Sequence, residues 1–427
     1  MRVTSGPWWV QAAGCLFALL LPFSSYRPLT APAFPDILGI YVEPALYLSD
    51  LALAAFVLTG VPILLREGLP WPKAGALAGC ALYLAGLAMV TAPFALVPSV
   101  AGYAALRWLL AAAVSLRFLQ GDLHLPGFVK AFLIGLVLQV LVSLGQVVLQ
   151  RPLGLPGEMA LPLSQPGAAV ATLSEGYWLR AYGLTFHPNV LGGFLVVGLL
   201  LALPLLSTGR RWIAVWWLLW GGLLLTLSRS AALAALVTVP LALGWWLRYR
   251  PRSWHHLLVA AGGVALLAAA GAAVFWQHIL ARLDLSQMTE WISLHERGAQ
   301  FRAALGVLAA RPLAGVGAAN FPLALHLSGS DLRPLPVHNV PLLLASEVGV
   351  LGGAIWLVAG PAGLVTLIER RCRLSDWAVA GLFAWLALWV VGLFDYYPWG
   401  LNAGQLLSAA MLGLSGHALL RDVPTED

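Results

Sequence analysis

Apolar runs of about twenty residues follow one another along nearly the whole chain, and this limits its fold more than any other feature. A helix of about that length crosses the hydrocarbon core of a bilayer, where backbone polar groups must be satisfied within helices or closed barrels. Of the 427 residues, 60% are hydrophobic and only 10% are charged, against about 25% charged in globular proteins. A soluble core has no use for that much apolar surface. The expected fold is all-α: a polytopic integral membrane protein, with residues 1–427 forming a single transmembrane domain. A window of about nineteen residues gives about twelve transmembrane helices, starting near Trp8, Ala45, Lys73, Ser99, Phe128, Pro188, Arg211, Ser230, Leu257, Asn339, Leu374 and Gly400.

Lys and Arg favour cytoplasmic loops. Arg66 and Lys73, Arg117 and Lys130, Arg210 and Arg211, Arg248, Arg250 and Arg252, and Arg370, Arg371 and Arg373 recur at every second connection. With Arg2 and Arg421 they make fourteen of the 24 Lys and Arg residues, so both termini are expected in the cytoplasm. This bias accounts for most of the formal net charge of +6. No Lys/Arg run is interleaved with aromatic residues on a polar surface, which excludes nucleic acid as a partner. Cys15, Cys80 and Cys372 offer neither a disulfide framework nor a metal spacing. Met1 and Arg2 precede an apolar run, and Ala31-Pro32-Ala33 resembles a signal-cleavage site, but Pro22, Arg27 and Pro28 separate the two too widely, so an uncleaved first helix is expected. Trp8 and Trp9, Trp245, Trp246 and Trp254, and Tyr396, Tyr397 and Trp399 are expected to anchor span ends at the interface, with sugar stacking as a second reading for Tyr396–Trp399.

Six arginines run against the charge bias. Arg180, Arg229, Arg297, Arg302, Arg311 and Arg333 map to outer loops or outer helix ends. Cations held there beside apolar walls point to an anionic ligand, and with His338 among them the reading is chemistry on a phosphate-bearing lipid. Two extracytoplasmic loops are long. The smaller, residues 150–187, carries Pro152, Pro156, Pro162 and Pro166 and reads as an irregular cap. The larger, residues 278–337, opens with a helical pattern over Ser286–Ala310 that can lie along the membrane surface. It is broken by Gly315-Val316-Gly317.

Within the first loop, Arg180 leads to His187-Pro188-Asn189 and straight into a span. Pro188 suits a first helical turn, which turns helix N–H groups outward as an anion site. Arg180 adds a two-pronged donor. A plain helix start with an interfacial arginine explains the same residues, and both readings stand. Arg229, in Leu227-Ser228-Arg229-Ser230, sits almost in hydrocarbon between two apolar runs and is costly there unless paired or wet. Arg297 and Arg302 are about 140° apart around a helix, and Glu290 and Glu296 are candidate local partners. His338-Asn339 ends the large loop, with Asn339 as N-cap and Pro341 in the first turn. Histidine is the side chain best suited to take a proton near neutral pH, while a structural role remains the alternative. Glu347 is expected to face away from His338. Asp50, Arg107 and Asp395 are costly in hydrocarbon and unexplained by sequence alone. There is no P-loop, paired CxxC or HExxH pattern, so neither a metal nor another cofactor is expected.

Taken together, Arg-x-x-Gly-x-x-x-His-Pro-Asn over Arg180–Asn189, Ser228-Arg229-Ser230, Arg297, Pro312-Leu313-Ala314-Gly315-Val316-Gly317-Ala318-Ala319-Asn320-Phe321 and His338-Asn339 resemble the O-antigen ligase/polymerase superfamily. The resemblance covers about Arg180 to Trp399. It implies a fold similar to metal-independent lipid-linked (GT-C-type) glycosyltransferases in the bacterial inner membrane, with the active site on the periplasmic face. It implies an undecaprenyl-diphosphate-linked glycan as donor and a glycan or lipid A-core as acceptor. It also implies His338 as catalytic base and Arg180, Arg229 and Arg297 as diphosphate ligands that must converge on one cavity, with Arg302, Arg311, His187, Asn339 and Asp395 as supporting residues. Asn339 stands where ligases often carry Gly or Ser, and this leaves O-antigen ligase and repeat-unit polymerase both open. A transporter or flippase of lipid-linked glycans is the competing class. It expects charges along a midplane path.

Overall fold

The computed structural model describes residues 6–68, 75–165, 167–173, 176–250, 254–284, 288–370 and 374–419. Met1, Arg2, Lys73, Pro166, Arg252, Ser286, Arg371, Cys372, Arg373 and Arg421, used above, lie outside the described residues. In chain order the helices are α1 (Trp8–Leu20), α2 (Gly39–Val42), α3 (Asp50–Leu58), α4 (Val61–Glu67), α5 (Gly75–Thr91), α6 (Pro98–Leu119), α7 (Leu125–Leu149), α8 (Pro188–Ala202), α9 (Arg210–Thr226), α10 (Arg229–Tyr249), α11 (Trp254–Leu283), α12 (Met288–Ala310), α13 (Phe321–Leu327), α14 (Val340–Val348), α15 (Val350–Glu369), α16 (Asp376–Gly392), α17 (Tyr397–Gly400) and α18 (Asn402–Leu419). Two short antiparallel strand pairs interrupt them, β1 (Tyr26–Pro28) with β2 (Ala45–Tyr47) and the hairpin of β3 (Val170–Leu173) with β4 (Gly176–Leu179).

The protein is helical and membrane-embedded. Among the described residues, six helices are long and apolar enough to cross a membrane: Pro98–Leu119, Leu125–Leu149, Pro188–Thr208, Arg229–Tyr249, Trp254–Gly271 and Val350–Glu369. The remaining apolar runs read from the sequence correspond to shorter or less apolar helices or broken pairs: α1, α3 with α4, α5, α9, α16 and α18. Residues 150–187, expected as an irregular cap, hold regular structure as well. Their proline-rich start gives way to the β3–β4 hairpin, in residues with strand propensity such as Val170, Tyr177 and Trp178. The first residues of the 278–337 stretch are helical, because α11 continues through His278 to Leu283.

The chain forms two compact units. The first comprises Tyr26–Leu123 and Ser293 onward, and the second Pro7–Ser25 and His124–Ile292. In the first unit α18 packs on α5, α6 and α16, while α15 packs on α5, α14 and α16. Here the mid-span Arg107 finds its explanation. Its guanidinium bonds Asp50 Oδ1 at 2.8 Å and donates through Nε to Asn402 Oδ1 at 2.9 Å. It also lies over the Tyr47 ring, 5.0 Å from the centroid. The side chains of Arg107 and Asp50 are only 9% and 12% exposed. Removing one partner of such a buried pair costs about 3–5 kcal/mol. Arg107→Met is therefore expected to melt at a clearly lower temperature than wild type in the same detergent, and an unchanged melting temperature would show that the pair contributes nothing.

One break in the first unit sets up the site. Gly349 separates α14 from α15 with φ +86, and a Cβ there would meet Leu313 O at 2.0 Å, so only glycine fits. The carbonyls left unpaired at a helix end need partners. Residues 312–317 supply and accept them: Val316 N–H donates to Ser346 O at 2.9 Å, Gly317 N–H to Glu347 O at 2.8 Å, and Val350 N–H to Pro312 O at 2.8 Å. Gly315, at φ +63, brings its backbone against Glu347. The Pro312–Phe321 motif is thus a clasp on the broken helix, and Glu347 accepts the Phe321 N–H at 3.3 Å.

In the second unit α8 is buried along nearly its whole length and packs on α7, α9 and α10. Two glutamines on α7, seven residues and so two turns apart, hold the segment that precedes α8. Gln139 Oε1 accepts Leu184 N–H at 2.5 Å. Gln146 accepts from Gly183 N–H at 2.9 Å and donates to Gly183 O at 2.8 Å. Both side chains are fully buried, so these bonds satisfy groups that would otherwise be costly in an apolar interior.

Candidate active site

The two halves of the expected site fall in different units: Arg180, His187 and Arg229 in the second, and Arg297, Arg302, Arg311, His338, Asn339 and Asp395 in the first. In the second unit, Arg180 is buried at 3% exposure. It donates through Nε to Thr226 O at 2.8 Å and through a terminal nitrogen to Asn189 Oδ1 at 2.7 Å. Both acceptors are neutral and fix the direction of the guanidinium. The Ala181 N–H reaches Leu225 O at 3.1 Å. The Arg180 segment, the start of α8 and the turn before Arg229 are therefore one structure, although the sequence spreads them over fifty residues. That turn is strained. Leu227 takes φ +47, a left-handed conformation that is costly for a bulky residue. Ser228 then caps α10 and Arg229 begins it, half-buried.

His187 caps α8: its Nδ1 accepts the Asn189 N–H at 3.1 Å, and its ring meets Tyr182 edge-on at 6.1 Å. One of the helix N–H groups expected to face an anion is thus taken by the histidine itself, which is a structural use.

In the first unit the residues gather around His338. Asn339 caps α14 by accepting the Leu342 N–H at 2.8 Å, and its amide donates to Leu393 O at 2.9 Å. This double tie fixes the backbone beside His338. The imidazole Nδ1 lies 3.1 Å from Gln300 Oε1, and the ring packs against the edge of Tyr396, with centroids 5.0 Å apart and planes at 79°. Tyr396 is held in turn by a 2.6 Å bond between its hydroxyl and that of Tyr41. Asp395 is 3% exposed and accepts the Tyr396 N–H at 2.8 Å.

Burial pushes the His338 pKa down to about 4. The positive charges of Arg297 and, more weakly, Arg333 add to this, against an upward pull from Asp395. The imidazole is therefore neutral at physiological pH and able to accept a proton.

The four loop and helix-end arginines of this unit separate into different environments. Arg297 is half-buried and acts electrostatically on His338. Arg333 forms a two-pronged pair with Glu296, with Nε 2.9 Å from Oε1, and so meets a carboxylate of its own unit. Arg302 is exposed. Arg311 is exposed too and reaches the Phe94 carbonyl at 3.4 Å.

The aromatic residues at 396–399 were expected as interfacial anchors, and the structure corrects this. Tyr396, Tyr397 and Trp399 are 9%, 1% and 1% exposed, and Tyr396 supports the His338 ring instead. Trp245 and Trp246 are likewise buried, whereas Trp8, Trp9 and Trp254 are exposed as anchors should be. Gln300, Gln139 and Gln146 went unmarked in the sequence. For Gln139 and Gln146 the available signal was an amide in a mostly apolar helix; Gln300 shares its face with Glu296 and Arg297 and carried no such signal.

No match is found among the curated proteins. Residues 213–357, a stretch that contains Arg229, Arg297 and His338, match the family model described as O-Antigen ligase. This match supports membership of the O-antigen ligase/polymerase superfamily, and with it a glycosyltransferase-like enzyme of the ligase or polymerase type.

Proposed function

We propose that this protein transfers a glycan from an undecaprenyl-diphosphate-linked donor to an acceptor hydroxyl on the outer face of the bacterial inner membrane, as an O-antigen ligase of lipopolysaccharide biosynthesis. The observation that carries the reading is His338: a neutral, half-buried imidazole at a loop-to-helix junction, fixed on two sides, inside the matched stretch. His338 takes the proton of the acceptor hydroxyl. The freed oxygen attacks the anomeric carbon, the bond from that carbon to the phosphate oxygen breaks, and lipid diphosphate leaves. A single direct displacement inverts the anomeric centre. Arg180, Arg229 and Arg297 take the role of diphosphate ligands, where fixed positive charge stabilises the departing anion without a metal. The proposed topology has about twelve spans with both termini in the cytoplasm, which fits the alternation of basic loops.

A repeat-unit polymerase is the second reading, left open by Asn339 at the position where ligases often carry Gly or Ser. Both readings share the donor and differ in acceptor. With purified protein, a ligase is expected to glycosylate lipid A-core and to leave donor alone unchanged. Growth of longer chains from donor alone would assign the polymerase reading instead. No product with either acceptor would refute both.

A further inference from the structure

We propose that Gln300 is the positioning residue for His338: its amide oxygen accepts the Nδ1 proton, so that Nε2 is the nitrogen left to take the acceptor's proton. This rests on the reading of His338 as the base and specifies how that base is prepared.

Four observations lead to it. The first is the helical phase of α12. Glu296, Arg297, Gln300 and Ala304 recur at spacings of three and four and share a face. Gln300 and Ala304 on that face are 1% and 0% exposed, while Phe301 and Leu305 off it are 44% and 46% exposed. The second is the burial of the amide itself. A buried carboxamide needs a partner, and His338 Nδ1 stands 3.1 Å from its oxygen.

The third is the grip on the ring. The edge contact with Tyr396 and the Asn339 cap restrain the ring and its backbone, but neither engages a ring nitrogen. The choice of tautomer therefore falls to the group at Nδ1. The fourth is the position of Asp395. Its carboxylate accepts the Tyr396 N–H, so the group at Nδ1 is a neutral amide rather than a carboxylate. A carboxylate there would both orient the ring and raise its basicity. An amide orients it and leaves the basicity to the surrounding charges.

The test uses the purified full-length protein with defined donor and acceptor, measuring kcat, donor KM and their pH dependence for wild type, Gln300→Leu, Gln300→Glu and His338→Ala, with a thermal melt of each. Gln300→Leu is expected to lower kcat by about 10- to 100-fold, a part of what a general base supplies, with donor KM nearly unchanged. Gln300→Glu restores an acceptor at Nδ1 and places a negative charge beside the ring. It is expected to recover most of kcat and to move the acid limb of the profile to higher pH. A Gln300→Leu protein with wild-type kcat and pH profile overturns the proposal. So does a Gln300→Glu protein as impaired as Gln300→Leu, with an unmoved acid limb and an undiminished melting temperature. His338→Ala separates the two levels. Inactive His338→Ala beside normal Gln300→Leu removes the positioning role alone, and active His338→Ala removes the base on which it rests.

Discussion

His338→Ala is expected to lower glycan transfer by about 10²–10⁴-fold, the usual contribution of a general base, while the protein still inserts into the membrane and binds the donor. His187→Ala is expected to retain far more activity, because the His187 nitrogen is occupied in capping α8, and such a cap is worth only about 0.5–2 kcal/mol of stability. The pH dependence follows from the charge around His338. Its pKa is held down to about 4 by burial and by Arg297. The proton-accepting form is therefore lost only as pH falls toward that value, and the acid limb of kcat/KM is expected well below the ordinary histidine range near 6.5. A bound diphosphate adds negative charge, which favours the imidazolium. The acid limb of kcat, which reports the bound state, should then lie at higher pH than that of kcat/KM. An acid limb in the same place for both parameters would separate His338 from the diphosphate.

The second large effect concerns Arg180. Lysine keeps the charge but loses the planar fork that can hold two oxygens at once. Arg180→Lys is expected to cut kcat/KM by about 10²-fold or more, in the range seen when one preorganised donor to a developing anion is removed. Since Arg180 also ties Thr226 to Asn189, folding must be checked by thermal melting. Arg229→Lys offers the same comparison at a half-buried arginine that begins its helix. Normal kcat/KM in both lysine variants would remove the two-pronged phosphate role.

The helices were legible because hydrocarbon imposes a length and composition that a single window detects, and so were the Asn339 cap and the turn at Gly315–Gly317. What escaped were contacts between residues distant in sequence. Arg107 looked like an isolated charge because Asp50 and Asn402, which satisfy it, are 57 and 295 residues away. The β3–β4 hairpin was hidden by the prolines before it. Residue type and spacing marked His338 and the arginines as candidates. Gln300, Gln139 and Gln146 went unmarked, since an amide marks a site only once its neighbours are known to be buried. Tyr396 was misassigned because an aromatic at a span end reads as an anchor until its 9% exposure and its contact with His338 are seen.

The central claim, covalent transfer rather than transport, is tested most directly in sealed vesicles that contain purified protein, undecaprenyl-diphosphate-linked glycan and lipid A-core. The account predicts that glycan appears on lipid A-core in step with released undecaprenyl diphosphate, and that His338→Ala abolishes both. Movement of the donor between leaflets with its glycan still attached, and no free lipid diphosphate, would contradict it.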